Sequence, residues 1–213
     1  AIQSLKNKKI IISAGASGIG FATAKVCLSK GAIVYLCDVN NKFLKKVQKH
    51  PLNNKRLFAY EYDASNEYDV SNFFDKIKKK TKKIDALINN VGIAGPTGTI
   101  EKLNSNDWER TLNVNVISHF YFTKLAIPML KKNKGGSIIN LSSVAGLNGM
   151  RGMPTAYQAS KGAVVTLTQN LAASWADRGV RVNAIAPGWF PSEMTSAWVN
   201  KSNFLDHISA NSP

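Results

Sequence analysis

Short, β-branched apolar runs alternate along this chain with longer stretches in which apolar positions recur every three to four residues. The runs at residues 9–13, 33–37, 57–62, 86–89, 137–141 and 181–185 predict six strands, each bounded by turn residues. Helical patterns near 20–30, 41–49, 68–80, 107–131 and 156–177 fall between them. Ile10-Ile11-Ile12 and Ile33-Val34-Tyr35-Leu36 are apolar without alternation, as strands buried on both faces require. The fold class expected is therefore α/β, a doubly wound parallel sheet with helices on both faces. Pro128 should kink or shorten its helix, and Gly135-Gly136 marks the turn into the fifth strand.

At 213 residues, with 44% hydrophobic and 19% charged positions, the chain suits one domain over 1–213 and is neither collagenous nor disordered. Cys27 and Cys37 cannot make a disulfide framework, and His50, His119 and His207 lack metal-ligand spacing, so no metal is expected. The stretch after Lys6, Lys8 and Lys9 superficially resembles a signal peptide, but Ser13, Gly15, Ser17, Gly18 and Gly20 are too polar and glycine-rich for one. A cytoplasmic protein without a membrane span is the expectation.

The net charge of +15 is the compositional oddity. Seventeen of the 28 basic residues lie in the first 83 positions, six of them lysines between Lys76 and Lys83. Only five are arginine, the residue that reads base edges bidentately. The pattern favours lysine-rich solvated helix faces, with no nucleic-acid and no membrane partner; a nucleic-acid role is the minor alternative.

Candidate chemistry begins at Ser13-Ala14-Gly15-Ala16-Ser17-Gly18-Ile19-Gly20, between the first strand and first helix. Small residues there let the backbone approach a pyrophosphate held by a helix N-terminus. Asp38, eighteen residues after Gly20, stands near the offset for accepting hydrogen bonds from an adenosine ribose. Its carboxylate would repel a 2′-phosphate, which favours NAD over NADP, although Lys42 argues weakly the other way. Capping of the next helix is the structural alternative for Asp38.

Tyr157-Gln158-Ala159-Ser160-Lys161 completes a set of motifs that resembles the short-chain dehydrogenase/reductase family, from about residue 5 to 195. The set also contains the glycine-rich turn, Asp63, Asn89-Asn90-Val91-Gly92, Asn115, Ser142-Ser143-Val144 and Pro187-Gly188. The resemblance implies a Rossmann-like domain, a secondary alcohol interconverted with a ketone or 3-oxoacyl group, and a homodimer or homotetramer. It implies a catalytic tetrad of Asn115, Ser143, Tyr157 and Lys161. Cofactor-binding residues would be Gly15, Ser17, Gly18, Ile19, Gly20, Asp38, Val39, Asp63, Ala64, Asn90, Val91, Gly92, Tyr157, Lys161, Pro187, Gly188, Trp189 and Ser192.

Four residues apart, Tyr157 and Lys161 share a helix face. A tyrosine working near neutrality must be lowered by ~3 pH units, or ~4 kcal/mol, and a cation about 4 Å away supplies that order of energy. Tyr157 would exchange a proton with the substrate oxygen while Ser143 orients it, and Asn115 would hold a proton-conducting water. Ala14 and Val91 replace the family's usual glycine and alanine, small changes expected to narrow the groove. The chain also ends before the family's last strand, so a truncated C-terminus is expected. A catalytically impaired dinucleotide-binding protein of the same fold is the alternative.

Overall fold

A computed structural model describes residues 4–51, 55–133 and 135–189. Six strands, β1 (Lys9–Ile12), β2 (Ile33–Asp38), β3 (Leu57–Glu61), β4 (Ala86–Asn89), β5 (Gly136–Leu141) and β6 (Val180–Ile185), pair in parallel in the order β3-β2-β1-β4-β5-β6. Helices α1 (Gly18–Ser29), α2 (Asn41–Lys49) and α3 (Glu67–Lys80) follow the first three strands. Helices α4 (Ser105–Leu112) and α5 (Ser118–Lys131) follow β4, and α6 (Thr155–Trp175) precedes β6.

The first five strands feed alternate side chains into two cores, while β6 buries Val180 and Val182 on one face only. Ile10, Ile12, Val34 and Leu36 meet Leu28, Leu44 and Val47 on one face. Ile11, Tyr35, Leu87 and Ile138 meet Phe73, Phe74 and Phe122 on the other. The three phenylalanines touch at 5.6–5.9 Å between ring centroids, tying α3 to α5. Burial on both faces explains the unalternating apolar runs. The order reverses between β1 and β4, where a doubly wound sheet leaves a crevice at its strands' carboxyl ends.

The stretch read as one helix over 107–131 is instead α4 and α5 joined by a π-helical turn, Asn113–Ile117. Pro128 does not break α5, which continues to Lys131. With under one turn of α5 beyond it, the proline's missing N–H withholds the intrahelical donor from one carbonyl, that of Lys124, without ending the helix there.

Candidate active site

A groove of about 570 Å³ opens at the carboxyl ends of the strands. Ser17, Gly18 and Ile19 line it after β1, Asp38 and Val39 after β2, Asp63 and Ala64 after β3, and Asn90, Val91 and Gly92 after β4. Ser143, Tyr157, Lys161, Pro187 and Gly188 line its other end. Gly15 and Gly20 are buried beneath the turn, Asn115 lies wholly buried behind the wall, and Trp189 is half-buried; none of these four is among the described lining residues. Ser192 lies outside the described residues.

At the glycine end, α1 starts with no side-chain cap from Ser17 and no acidic residue in its first turn, so its N-terminal dipole faces the groove uncompensated. Asp38 accepts the Ala16 N–H at 3.1 Å on one carboxylate oxygen and the Asn40 N–H at 3.0 Å on the other. Each oxygen keeps a lone pair. The cap of α2 is Asn40, whose side chain accepts from Lys42 and Phe43, so the capping alternative for Asp38 passes to its neighbour. Asp63 accepts from the Ser65 N–H and hydroxyl at 2.8 and 2.7 Å and so shapes the turn at Ala64.

Ser13, which opens the glycine-rich turn but has no role of its own in the sequence reading, joins the two halves of this crevice. Its hydroxyl accepts the Asn90 and Val91 N–H groups at 2.9 and 3.3 Å, while Asn90 Nδ2 donates to the Ala14 carbonyl at 2.9 Å. The available signal was a small polar residue closing the run Ile10-Ile11-Ile12. Gly20 packs against that junction: a Cβ there would overlap the Ala14 oxygen and stand 2.6 Å from Asn90 Nδ2. Ala14 itself has φ 48°, in the left-handed region where a side chain is strained. The replacement of glycine at position 14 therefore acts first on the backbone, an effect beyond the expected narrowing of the groove.

At the other end, Ser143 follows β5, and its hydroxyl accepts the Ala145 N–H at 3.2 Å and hydrogen-bonds Tyr157. Lys161 is 4% exposed; its ammonium donates to the Leu141 carbonyl at 2.7 Å and lies 5.7 Å from the Tyr157 ring centroid. Gly92 lets the ammonium come close, since a Cβ there would be 3.3 Å from Nζ. Burial lowers the Lys161 pKa to about 8. Burial also raises that of Tyr157, against a smaller lowering by its hydrogen bond from Ser143. The sequence argument expected a lowered tyrosine; within the protein chain by itself, desolvation wins.

Asn115 sits in the π-helical turn. Its Oδ1 accepts the Ile93 N–H at 2.8 Å, and its Nδ2 donates to the Ile93 carbonyl and to Ser160 Oγ, both at 2.9 Å. Ser160 in turn donates to the Tyr157 carbonyl at 2.7 Å. Both amide hydrogens are thus spent on fixing the groove wall and the start of α6. Deeper in, Asn89 donates to Thr123 and to Asn140, which donates to Thr168, a polar seam between the sheet and helices α5 and α6. His119, on α5 four residues before Thr123, is fully buried, with both ring nitrogens lacking a hydrogen-bond partner among the described residues. Burial, then the Lys161 charge, lower its pKa to about 3, the Val91 backbone pulling weakly the other way.

The model of the short chain dehydrogenase family matches residues 8–203. A 3-oxoacyl-(acyl-carrier-protein) reductase of Thermotoga maritima is 33% identical over 199 residues, 93% of this chain and 80% of that protein. A meso-2,3-butanediol dehydrogenase of Serratia marcescens is 34% identical over 192 residues, 90% of this chain and 75% of its own. Among solved structures, an active-site complex of Pseudomonas aeruginosa RhlG with NADP superposes with a TM-score of 0.87 at 28% identity, covering 97% of this chain and 82% of that one. A levodione reductase gives 0.85 at 27% identity, covering 97% of this chain and 80% of its own. With the family's model spanning the sheet and both ends of the groove, the chain belongs to the short-chain dehydrogenases, oxidoreductases that act on CH–OH groups with a nicotinamide dinucleotide.

Proposed function

We propose that this chain interconverts a secondary alcohol and a ketone, or a 3-oxoacyl group, with NAD(H) preferred over NADP(H). The observation that carries the reading is one continuous groove with the uncapped α1 N-terminus and Asp38 at one end and Ser143, Tyr157 and Lys161 at the other. A dinucleotide fits the residues present. Gly20 keeps the turn flat where a Cβ would collide, the dipole of α1 favours pyrophosphate, and Asp38 retains acceptor capacity for a ribose diol. Asp38 disfavours a 2′-phosphate by charge.

The bound nicotinamide supplies hydride chemistry. Tyr157 exchanges a proton with the substrate oxygen, and Ser143, hydrogen-bonded to it, holds that oxygen in place. Lys161, anchored on Leu141, binds the nicotinamide ribose and favours the tyrosinate by its charge. Asn115 holds the Ile93 backbone that walls the site. Exposed Ile117 and Phe120 on the outer face of the π-helical turn and α5 support a homodimer or homotetramer.

The test pairs NADH and NADPH titrations with turnover of Tyr157→Phe. Tighter NADH binding, retained by the variant while turnover falls by orders of magnitude, is the expected result. Near-normal turnover removes the role of Tyr157, and preference for NADPH removes that of Asp38.

A further inference from the structure

The fold sorts the charges by pole. Sixteen of the 28 basic residues lie in segments 6–9, 30, 49–51, 55–56, 78–83, 131–132 and 178–181, at the end of the sheet where the strands begin. Three acidic residues stand among them, Asp85, paired with Lys8 at 2.9 Å, Asp75, paired with Lys78 at 3.1 Å, and Asp177, beside Arg178, so the excess at this end is strongly positive. At the opposite end, where the groove opens, segments 38–42, 61–69 and 101–110 hold eight acidic residues against three cations, Lys42, Lys102 and the groove-lining Arg110. The basic segments are neighbours in space. The Leu5 N–H bonds the Lys30 carbonyl, Arg56 bonds Gly31, the Asp85 N–H bonds the Lys9 carbonyl, and Asn133 bonds the Asp85 carboxylate. Gly136 bonds Gly179 and closes the band across the sheet.

Two ordinary explanations fall short. Cations in the last turns of α2, α3 and α5 compensate helix dipoles, which accounts for Lys49, Lys78–Lys80 and Lys131 but not for the lysines in 6–9 and 82–83. Steering of an anionic dinucleotide would place the field around the groove, and the field is centred on the far pole. Six strands about 4.8 Å apart make this end about 24 Å wide. Among the described residues, Lys80 lies 4.4 Å from the Phe58 ring and Arg178 4.7 Å from that of Trp175, so these two rings are covered by cations and not bare for a base to stack on. A broad, lysine-rich face without stacking platforms matches a sheet of anionic headgroups better than a nucleic-acid strand.

We propose that the amino-terminal pole of the sheet docks on an anionic lipid surface and leaves the groove facing solution. This departs from the expectation of merely solvated helix faces. The test is co-sedimentation of the full chain with phosphatidylserine–phosphatidylcholine vesicles and with pure phosphatidylcholine vesicles, at low and high salt. Binding to the anionic vesicles only, weakened about tenfold or more by salt, is expected. The triple variant Lys79→Glu, Lys82→Glu, Lys83→Glu should lose at least tenfold in affinity with turnover and melting temperature unchanged. Lys42→Glu, Lys45→Glu, Lys102→Glu, with the same net charge but an intact pole, should lose far less. Equal losses in the two variants, or no preference for anionic vesicles, overturn the proposal. Binding to a duplex or single-stranded RNA probe without vesicle binding overturns it in favour of a nucleic-acid partner.

Discussion

Replacing Ala14 with glycine should stabilise this protein, although it deletes a side chain. Ala14 has φ 48° in a turn whose shape is fixed from both sides, by Asn90 on its carbonyl and by Asp38 on the next-but-one N–H. A Cβ in the left-handed region costs about 1–2 kcal/mol. Glycine removes that strain and loses about 0.4–1 kcal/mol through the freer unfolded chain. The net gain is about 1 kcal/mol, a rise of about 2–4 °C in Tm for a chain of this size. Hydrogen bonds to the turn use backbone carbonyls and amides, so glycine preserves them and NADH affinity should stay within about twofold. Urea unfolding of Ala14→Gly, Ala14→Val and the parent gives the series, with valine the least stable because its β-branch worsens the same clash. A glycine variant less stable than the parent at an unchanged denaturant slope would show that φ at position 14 carries no strain.

Gly20→Ala should cost about 1–3 kcal/mol through overpacking against the Ala14–Asn90 bond and should weaken NADH binding, read by melting and titration together. His119 titrates near 3 in the fold and near 6.5 when unfolded, so its contribution is intact above pH 6.5 and is lost as pH falls toward 3. Between pH 6.5 and 5 that loss is about 2 kcal/mol, and His119→Leu should flatten this part of the stability profile. Lys161 acts in the same sense in a higher window: its pKa falls from 10.5 to about 8 on folding, so its burial penalty is full below pH 8 and fades toward pH 10.5. Lys161→Met should raise Tm at pH 7, by less as pH rises, while turnover collapses.

The repeating strand–helix pattern carried the architecture, and strand positions agree with the sequence reading to within about a residue, because Ile10-Ile11-Ile12 and Ile33–Leu36 are buried on both faces. The groove's residue types were legible where a motif spans a few positions, as at 157–161. Three features were not. The π-helical turn preserves the apolar spacing of its neighbours, so periodicity runs through it unbroken. Nothing local distinguishes Ser13 from a strand terminus, since its partners are more than seventy residues away. Tyr157's upward shift depends on how much water the completed groove excludes, a property of the assembled fold.

The π-helical turn also carries information in a number rather than in a kind of residue. Each residue of an α-helix advances about 100°, so removing one from 113–117 would rotate everything on one side of the deletion by that angle relative to the other. Asn115 and Ile93 would lose their common bearing with no side chain changed. A scan that exchanges residues one for one would leave this phase intact and would never detect it. Shortening the chain by one position would, giving a more regular helix whose clamp is aimed elsewhere.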